Sequence, residues 1–362
     1  MSQLASQRIE EMLEALRCPR CQGRLSVDRE DSLRDEGSLE CRKCAEQFPL
    51  VNGIPRLLLS PLREALMGGG KASGNDARQV ATAESFGFEW SRFSEMYSEW
   101  ENNFREYMRP HKPEFFQGKR VLDAGCGSGR HAYYAATYGA DVWAVDLGPA
   151  VEVARRNTAA RDNVHVVQAD LYQLPFETES FDFIYSIGVL HHLPDPEAAF
   201  RNLLRFLKPG GEIQIYLYWK PENQPLKRSL LTAVTAMRQV TTRLPHKVTY
   251  ALSYPAACVA FGFFVWPYQV LSRIPGLGRV AERIPMKQYA HYPFRVCVND
   301  QLDRFSAPIE NRYTKQEVEA WLQRAGLEAS GVRANYGWCA WGRKSARVSG
   351  EVARGHASVA RV

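Results

Sequence analysis

The sequence predicts an α/β protein built on a doubly wound, mostly parallel seven-stranded sheet. A small four-cysteine unit precedes the sheet and a helical insert follows its fifth strand. Three observations carry this reading. Between residues 119 and 219, short apolar runs alternate with helical patterns, the rhythm of consecutive βαβ units. Two Cys-x-x-Cys pairs lie near the N-terminus. Residues 220–310 break the βα rhythm with an apolar, basic stretch interrupted by proline, and the rhythm then resumes.

In chain order, residues 1–17 read as a short polar helix. No basic segment precedes an apolar run there, so no export signal is expected and the protein is assigned to the cytoplasm. Residues 18–58 are the four-cysteine unit. Cys18-x2-Cys21 and Cys41-x2-Cys44 stand 19 residues apart, a spacing that can set four thiolates tetrahedrally around Zn²⁺. Four unliganded thiols would leave this short segment with almost no core. It therefore reads as a zinc ribbon with a structural ion. Residues 59–83, which include GGGKASGND, read as a flexible linker.

The α/β domain is expected over 84–219 and 311–344. Its first stretch, FGFEWSRFSEMYSEW, places Phe86, Trp90, Phe93 and Tyr97 at i, i+4, i+7 and i+11, one helical face. VLDAG, VWAVD, VHVVQ, FDFIYSI and EIQIYLY are the five parallel strands, and helical patterning is best at 128–138, 149–160 and 196–207. TKQEVEAWLQRAG reads as a helix with Thr314 at its N-cap, Glu317 three residues on and Gly326 at its end. LEASGVRANY and GWCAWGRK are the closing strands. Residues 345–362 are small and polar and read as a disordered tail.

VLDAGCGSG runs a strand into Gly125, Gly127 and Gly129, a turn that lets a ligand lie against bare backbone. Such a loop alone is weak evidence. The second strand then ends in Asp146, suited to ribose hydroxyls, and the third in Asp170, suited to the exocyclic amine of an adenine. The ordered set VLDAGCGSG, Asp146, QAD, LPF…SFDFIYSIGVLHHL and LKPGG resembles the consecutive motifs of class I S-adenosylmethionine-dependent methyltransferases. By that resemblance, Asp123 and the turn from Gly125 through Gly127 to Gly129 hold the methionine moiety. Asp146 and Leu147 serve the ribose, Asp170 and Leu171 the adenine edge, and Ser186 and Ile187 the sulfonium end. The cysteine unit with FPLVNGIPRLL resembles zinc-ribbon adaptor proteins that partner RNA- and protein-modifying methyltransferases.

Catalytic candidates are His191 and His192, just past the fourth strand at the carboxyl edge where open α/β sheets bind ligands. Either can serve as a general base, or the pair can simply support the loop. Related enzymes close a helix over the cofactor ahead of the first motif, which nominates Trp90 and Arg92 as ligand contacts. The stretch DRFSAPIENRYTKQEVEAWLQRAGLE resembles one in small-molecule methyltransferases and nominates Arg312 and Tyr313.

The net charge of +6 is concentrated. Residues 221–300 carry ten Lys or Arg against three acids, and the remainder sums to −1. Between Lys247 and Arg273 lie 25 uncharged residues. Apolar surface with basic flanks suits an anionic membrane interface. A lid over the active site and an oligomer interface remain open beside it. The expected acceptor is a small or lipid-like molecule, with the enzyme cytoplasmic and peripheral to the inner face of a membrane. The alternative is an RNA methyltransferase that grips phosphate with ribbon and insert. Against it, Asp28, Glu30, Asp31, Asp35, Glu36 and Glu40 outnumber Arg24, Arg29 and Arg34 between the cysteine pairs. Retained carboxylates at Asp146 and Asp170 argue against a decayed, non-catalytic scaffold.

Overall fold

In the computed structural model of the chain, the described residues are 2–27, 36–222 and 225–346. Most of the acidic ribbon loop and of the expected tail, residues 28–35 and 347–362, lies outside them.

Four strands of the N-terminal unit come first: β1 (Leu25–Val27), β2 (Gly37–Cys41), β3 (Gln47–Val51) and β4 (Ile54–Leu57). The catalytic sheet follows with β5 (Arg120–Ala124), β6 (Asp141–Asp146), β7 (Val164–Ala169), β8 (Phe181–Ile187), β9 (Leu207–Leu217), β10 (Glu328–Ala334) and β11 (Trp338–Arg343). The order is β1-β2-β3-β4-β7-β6-β5-β8-β9-β11-β10. Strands β5 to β9 are parallel, and β11 runs antiparallel between β9 and β10.

The seven expected strands are therefore present, but the sheet has eleven. The ribbon's last strand pairs in parallel with β7, Arg56 opposite Gln168 and Leu57 opposite Ala169. The ribbon covers the edge that β7 would otherwise expose. Side chains fasten the joint. Arg56 reaches both the Gln168 amide oxygen and the Glu152 carboxylate. Arg17 pairs with Glu177, and its backbone amide donates to the Pro175 carbonyl at 2.8 Å. Ile9 and Met12 of the N-terminal helix (Ser2–Ala15), and Leu16 just after it, share one buried cluster with Leu39, Phe48, Leu122, Phe176 and Phe181. Strand alternation divides the core: Leu122 and Ala124 enter that cluster, while Val121 enters a second with Phe104, Phe183 and Tyr185.

The stretch read as a linker over 59–83 is largely helical. A short helix (Leu62–Met67) precedes a long one (Gly74–Arg92) whose Gln79, Val80, Thr82 and Ala83 are buried. The long helix ends at Arg92, so the expected aromatic face is divided. Phe93 leaves the helix with φ −119° and ψ 59°, its ring 5.8 Å from that of Tyr250. Tyr97 lies in the following loop.

The insert is helical, as read: Pro225–Thr241, His246–Ala260 continuing through one π turn to Leu271, and Phe294–Ser306. The helix from His246 turns small or polar residues inward, with Thr249, Ser253, Ala257 and Ala260 buried. The capping box at Thr314 and Glu317 is formed.

Candidate functional site

The chain reverses its direction of winding between β6-β5 and β8-β9, so the carboxyl ends of β5 and β8 open a crevice at the switch point. A cleft of about 840 Å³ lies there. Its floor is the turn after β5. Gly125 has φ +90° and Gly127 φ +51°, conformations that a side chain rarely adopts. A Cβ on Gly127 would stand 2.8 Å from Trp90 Nε1, and one on Gly125 would strike Val189. Cofactor-sized space against bare backbone therefore requires both glycines. Gly127→Ala is expected to destabilise the protein by about 1–3 kcal/mol and to weaken cofactor binding. The comparison is Gly118→Ala, also at positive φ (+70°) but with nothing within 4 Å of the added Cβ. Equal losses of melting temperature and cofactor affinity in the two variants would remove the Trp90 contact as the cause.

Both oxygens of Asp146 are engaged: Oδ2 accepts the Gly127 amide and Oδ1 the Gly148 amide, each at 2.9 Å. Asp170 Oδ1 accepts from Gln79 Nε2 at 2.8 Å and from the Tyr172 amide at 3.1 Å. Burial raises both carboxyls above the usual range, and these hydrogen bonds offset part of that rise. Gly125, Gly127, Asp146, Leu147, Asp170, Leu171, Ile187, His192 and Trp90 all line the cleft.

The other candidates do not line it. Asp123 is buried beneath the loop, where burial pushes its carboxyl up to about 8, and Oδ2 has no partner. Gly129 caps the helix Arg130–Thr137 and packs on Ala154. The Ser186 hydroxyl donates to the Ala124 carbonyl at 2.8 Å inside the sheet. Arg92 faces outward over the Phe88 ring. Arg312 is held by Glu310 at 2.8 Å. The Tyr313 ring packs 4.8 Å from Trp321, and the Tyr313 carbonyl accepts Trp338 Nε1. Packing and ion pairing thus take up Arg92, Arg312 and Tyr313.

The two histidines separate. His191 is fully buried, its ring 3.9 Å from that of Tyr218, and neither ring nitrogen has a partner. Burial, with His192 and Arg312 nearby, holds its pKa well below the ordinary value, so it stays neutral. His192 lines the cleft, and its Nδ1 lies 2.6 Å from the Ile309 carbonyl. That carbonyl can only accept, so Nδ1 carries a proton.

Sequence reasoning missed Gln79, Thr82, Arg130 and His131, which also line the cleft. Arg130 and His131 directly follow the glycine turn, a signal that was available. Gln79 and Thr82 were hidden in a segment of linker-like composition.

At the ribbon, the four cysteine sulfurs lie within 4.8 Å of one another. Cys18 to Cys44 is 3.7 Å and Cys21 to Cys41 is 3.5 Å, close to the ~3.8 Å edge of a tetrahedron with metal–sulfur bonds of about 2.3 Å. A Cβ on Gly23 would lie 2.8 Å from the Cys41 sulfur. Burial pushes the Cys18 thiol up to about 12. Burial also acts upward on Cys41, but the amides of Lys43 and Cys44 bring it down to about 7. The donor set fits a soft or borderline metal ion with no open coordination position.

Comparison with known proteins agrees with this geometry. Residues 122–215 match the methyltransferase domain family, and residues 10–53 match the Trm112p-like protein family. The demethylmenaquinone methyltransferase of Clavibacter sepedonicus is 39% identical over 105 residues, 29% of this chain and 43% of that protein. The ubiquinone biosynthesis O-methyltransferase of Coxiella burnetii is 33% identical over 122 residues, 33% of this chain and 50% of that protein. The Mus musculus protein named "Probable tRNA methyltransferase 9B" is 33% identical over 132 residues, 35% of this chain and 27% of that protein. The chain thus spans half or less of the length of these relatives. It carries an S-adenosylmethionine-dependent methyltransferase domain joined behind a Trm112p-like four-cysteine domain.

Proposed function

We propose that this chain transfers a methyl group from S-adenosylmethionine to a small, lipid-like acceptor met at a membrane surface. The observation that carries the acceptor class is the outer face of the insert. Val248, Leu252, Val259, Phe263, Trp266, Val270 and Ile274 fall at helical spacing on one side of the helix from His246 and just beyond its end, and all are exposed, Phe263 by 73% and Trp266 by 63%. The helix is long and apolar enough to cross a bilayer (mean hydropathy 1.6), yet its other side packs on Phe294–Ser306. Exposed Arg243 and Lys247 flank one end, and Arg273, Arg279 and Arg283 the other. No acid occurs between Glu222 and Glu282. An apolar stripe between basic ends suits shallow insertion into an anionic leaflet, which supports a peripheral site on the cytoplasmic side. Quinone-pathway relatives point to the same acceptor class.

The bound cofactor supplies an electrophilic methyl group on a sulfonium. The protein's own work is to hold and exclude. Asp146 would take the ribose hydroxyls, Asp170 with Leu171 the adenine edge, and the glycine turn the amino-acid end. Trp90 and Phe86 would keep water out. His192, through Nε2, would accept the proton of a hydroxyl acceptor. The ribbon would hold a structural Zn²⁺.

The test uses purified protein, methyl-labelled S-adenosylmethionine and lysate divided into organic-extractable and RNA fractions. Label in the organic fraction is the expected result. Label confined to RNA would establish the tRNA-type reading that the mouse relative and the Trm112p-like domain favour. In a parallel flotation assay, the protein is expected to bind phosphatidylglycerol vesicles and not phosphatidylcholine vesicles. Phe263→Asp with Trp266→Asp should weaken that binding at least a hundredfold, since burying each ring is worth about 2 kcal/mol. Unchanged binding would remove the stripe from the proposal.

A further inference from the structure

The turn that carries His192 into the cleft is gripped by the segment that follows the insert. His192 Nδ1 donates to the Ile309 carbonyl at 2.6 Å. The Asn311 amide donates to the His191 carbonyl at 2.8 Å, and Asn311 Nδ2 lies 3.2 Å from the carbonyls of both His191 and Leu193. Between Ile309 and Asn311 stands Glu310, whose side chain is only 4% exposed and is set between two guanidinium groups. Its Oε2 is 2.7 Å from Arg238 and its Oε1 2.8 Å from Arg312. Burial pushes the Glu310 carboxyl up, but Arg312 and Arg238 outweigh burial and hold it below the usual carboxylate range.

Arg238 belongs to the first helix of the insert, Pro225–Thr241, and that helix is seated by polar groups. Among its described side chains only Arg238 and Thr241 are buried. Both reach the last turn of Phe294–Ser306: Arg238 Nε donates to the Arg304 carbonyl at 3.1 Å and Thr241 Oγ1 to the Phe305 carbonyl at 2.7 Å. These are carbonyls that a helix end leaves without a partner of its own. A helix seated for stability alone buries an apolar stripe. A buried ion pair gives back much of its attraction as desolvation, and apolar residues of the same volume often hold as well or better. What the Arg238–Glu310 pair adds is a single geometry. It fixes Glu310, and with it the carbonyl and the amide on either side that grip the histidine turn.

We infer that Arg238 and Glu310 are positioning residues for His192, acting through the Ile309 carbonyl and Asn311. This rests on the base role proposed for His192 and adds what aims it. Neither residue lines the cleft, so neither meets cofactor or acceptor directly. The rings of Phe86, His191 and Tyr218 pack around His192 at 4.9, 4.2 and 5.6 Å, contacts with little angular preference. The hydrogen bond from Nδ1 supplies the direction, and it sets where Nε2 points within the cleft. A base that turns away for part of the time loses rate in proportion, since a small misplacement of a reacting group is costly. The insert that carries the exposed apolar stripe thus also aims the base.

The test uses full-length protein and methyl-labelled S-adenosylmethionine, with lysate as the acceptor source. Arg238→Gln is expected to slow label transfer about tenfold or more, with S-adenosylhomocysteine affinity within about twofold of wild type. Arg238→Lys, which keeps a positive charge beside Glu310, should restore most of the rate. In spectra of ¹⁵N-histidine protein, the Nδ1 proton of His192 is assigned by its loss in His192→Ala. It should be sharp in wild type and broadened or absent in Arg238→Gln. In the His192→Ala background, itself slowed about a hundredfold or more, Arg238→Gln should slow transfer no further. A merely structural ion pair would lower the melting temperature and leave both the rate per folded molecule and the ring signal unchanged. An unchanged ring signal in Arg238→Gln, or a full further loss in the double variant, would overturn the inference. Wild-type rate in His192→Ala would instead remove the base role proposed for His192, and the ring signal would then decide the clamp alone.

Discussion

Replacing Asp146 with alanine is expected to weaken S-adenosylmethionine binding by about a hundredfold to a thousandfold, roughly 3–4 kcal/mol. The carboxylate works in two directions. Its oxygens accept the amides of Gly127 and Gly148, so it fixes the glycine turn that forms the cleft floor. It also lines the cleft itself. Alanine leaves two amides without an acceptor, at about 1–3 kcal/mol each where they remain buried, and removes the partner for the ribose. Asparagine is no safe replacement. One of its two terminal atoms is a donor, and whichever amide it faces becomes a repelled N–H. Asp146→Asn should therefore fall close to Asp146→Ala, whereas a residue acting only through charge would show a graded loss. Titration with S-adenosylhomocysteine, beside melting temperatures, separates the cases. Affinity within threefold of wild type in either variant would show that the turn holds its shape without the carboxylate and that the ribose lies elsewhere.

The strands around Asp146 were legible because each is a short, mostly apolar run, and the turn after the first carries glycines at fixed places. What escaped the sequence was long-range. Nothing in Ile54–Leu57 says that its backbone will pair with β7, because that parallel pairing uses no side-chain code. The ribbon therefore read as a separate unit. Gly74 begins the helix that closes the site, but Gly-rich composition just before it masked Gln79 and Thr82. The His-His pair looked equivalent in sequence. Only the third dimension buries His191 against Tyr218 and gives His192 a carbonyl partner and the cleft. Buried Glu89 stands near Asp300 and Asp303, more than 200 residues further along the chain.

That shared sheet makes metal removal the second large effect. If the four cysteines hold Zn²⁺ as proposed, stripping it, or replacing Cys41 with serine, is expected to cost the protein more than about 4 kcal/mol and lower its melting temperature on the order of 10 °C. Within the ribbon's strands the buried apolar set is small: Leu25, Leu39, Phe48, Leu50, Ile54 and Leu57. Cys41 closes β2, its amide donating to the Glu46 carbonyl and its sulfur accepting the Lys43 amide. Without a common ion, burial would keep the Cys18 thiol protonated, and the two knuckles would lose the bond that joins them. Loosening β2 and β3 frees β4 from β7 and exposes a catalytic-sheet edge, so aggregation should accompany the fall. Cys126→Ser is the control, a buried thiol outside the ribbon whose loss should cost far less. Metal analysis of the purified protein, then melting curves with and without a strong chelator, measures the effect. An unchanged curve in metal-free protein would show that packing alone holds the ribbon. A lowered curve with unchanged cofactor affinity would confine the damage to the ribbon edge and show that the cleft stands without it.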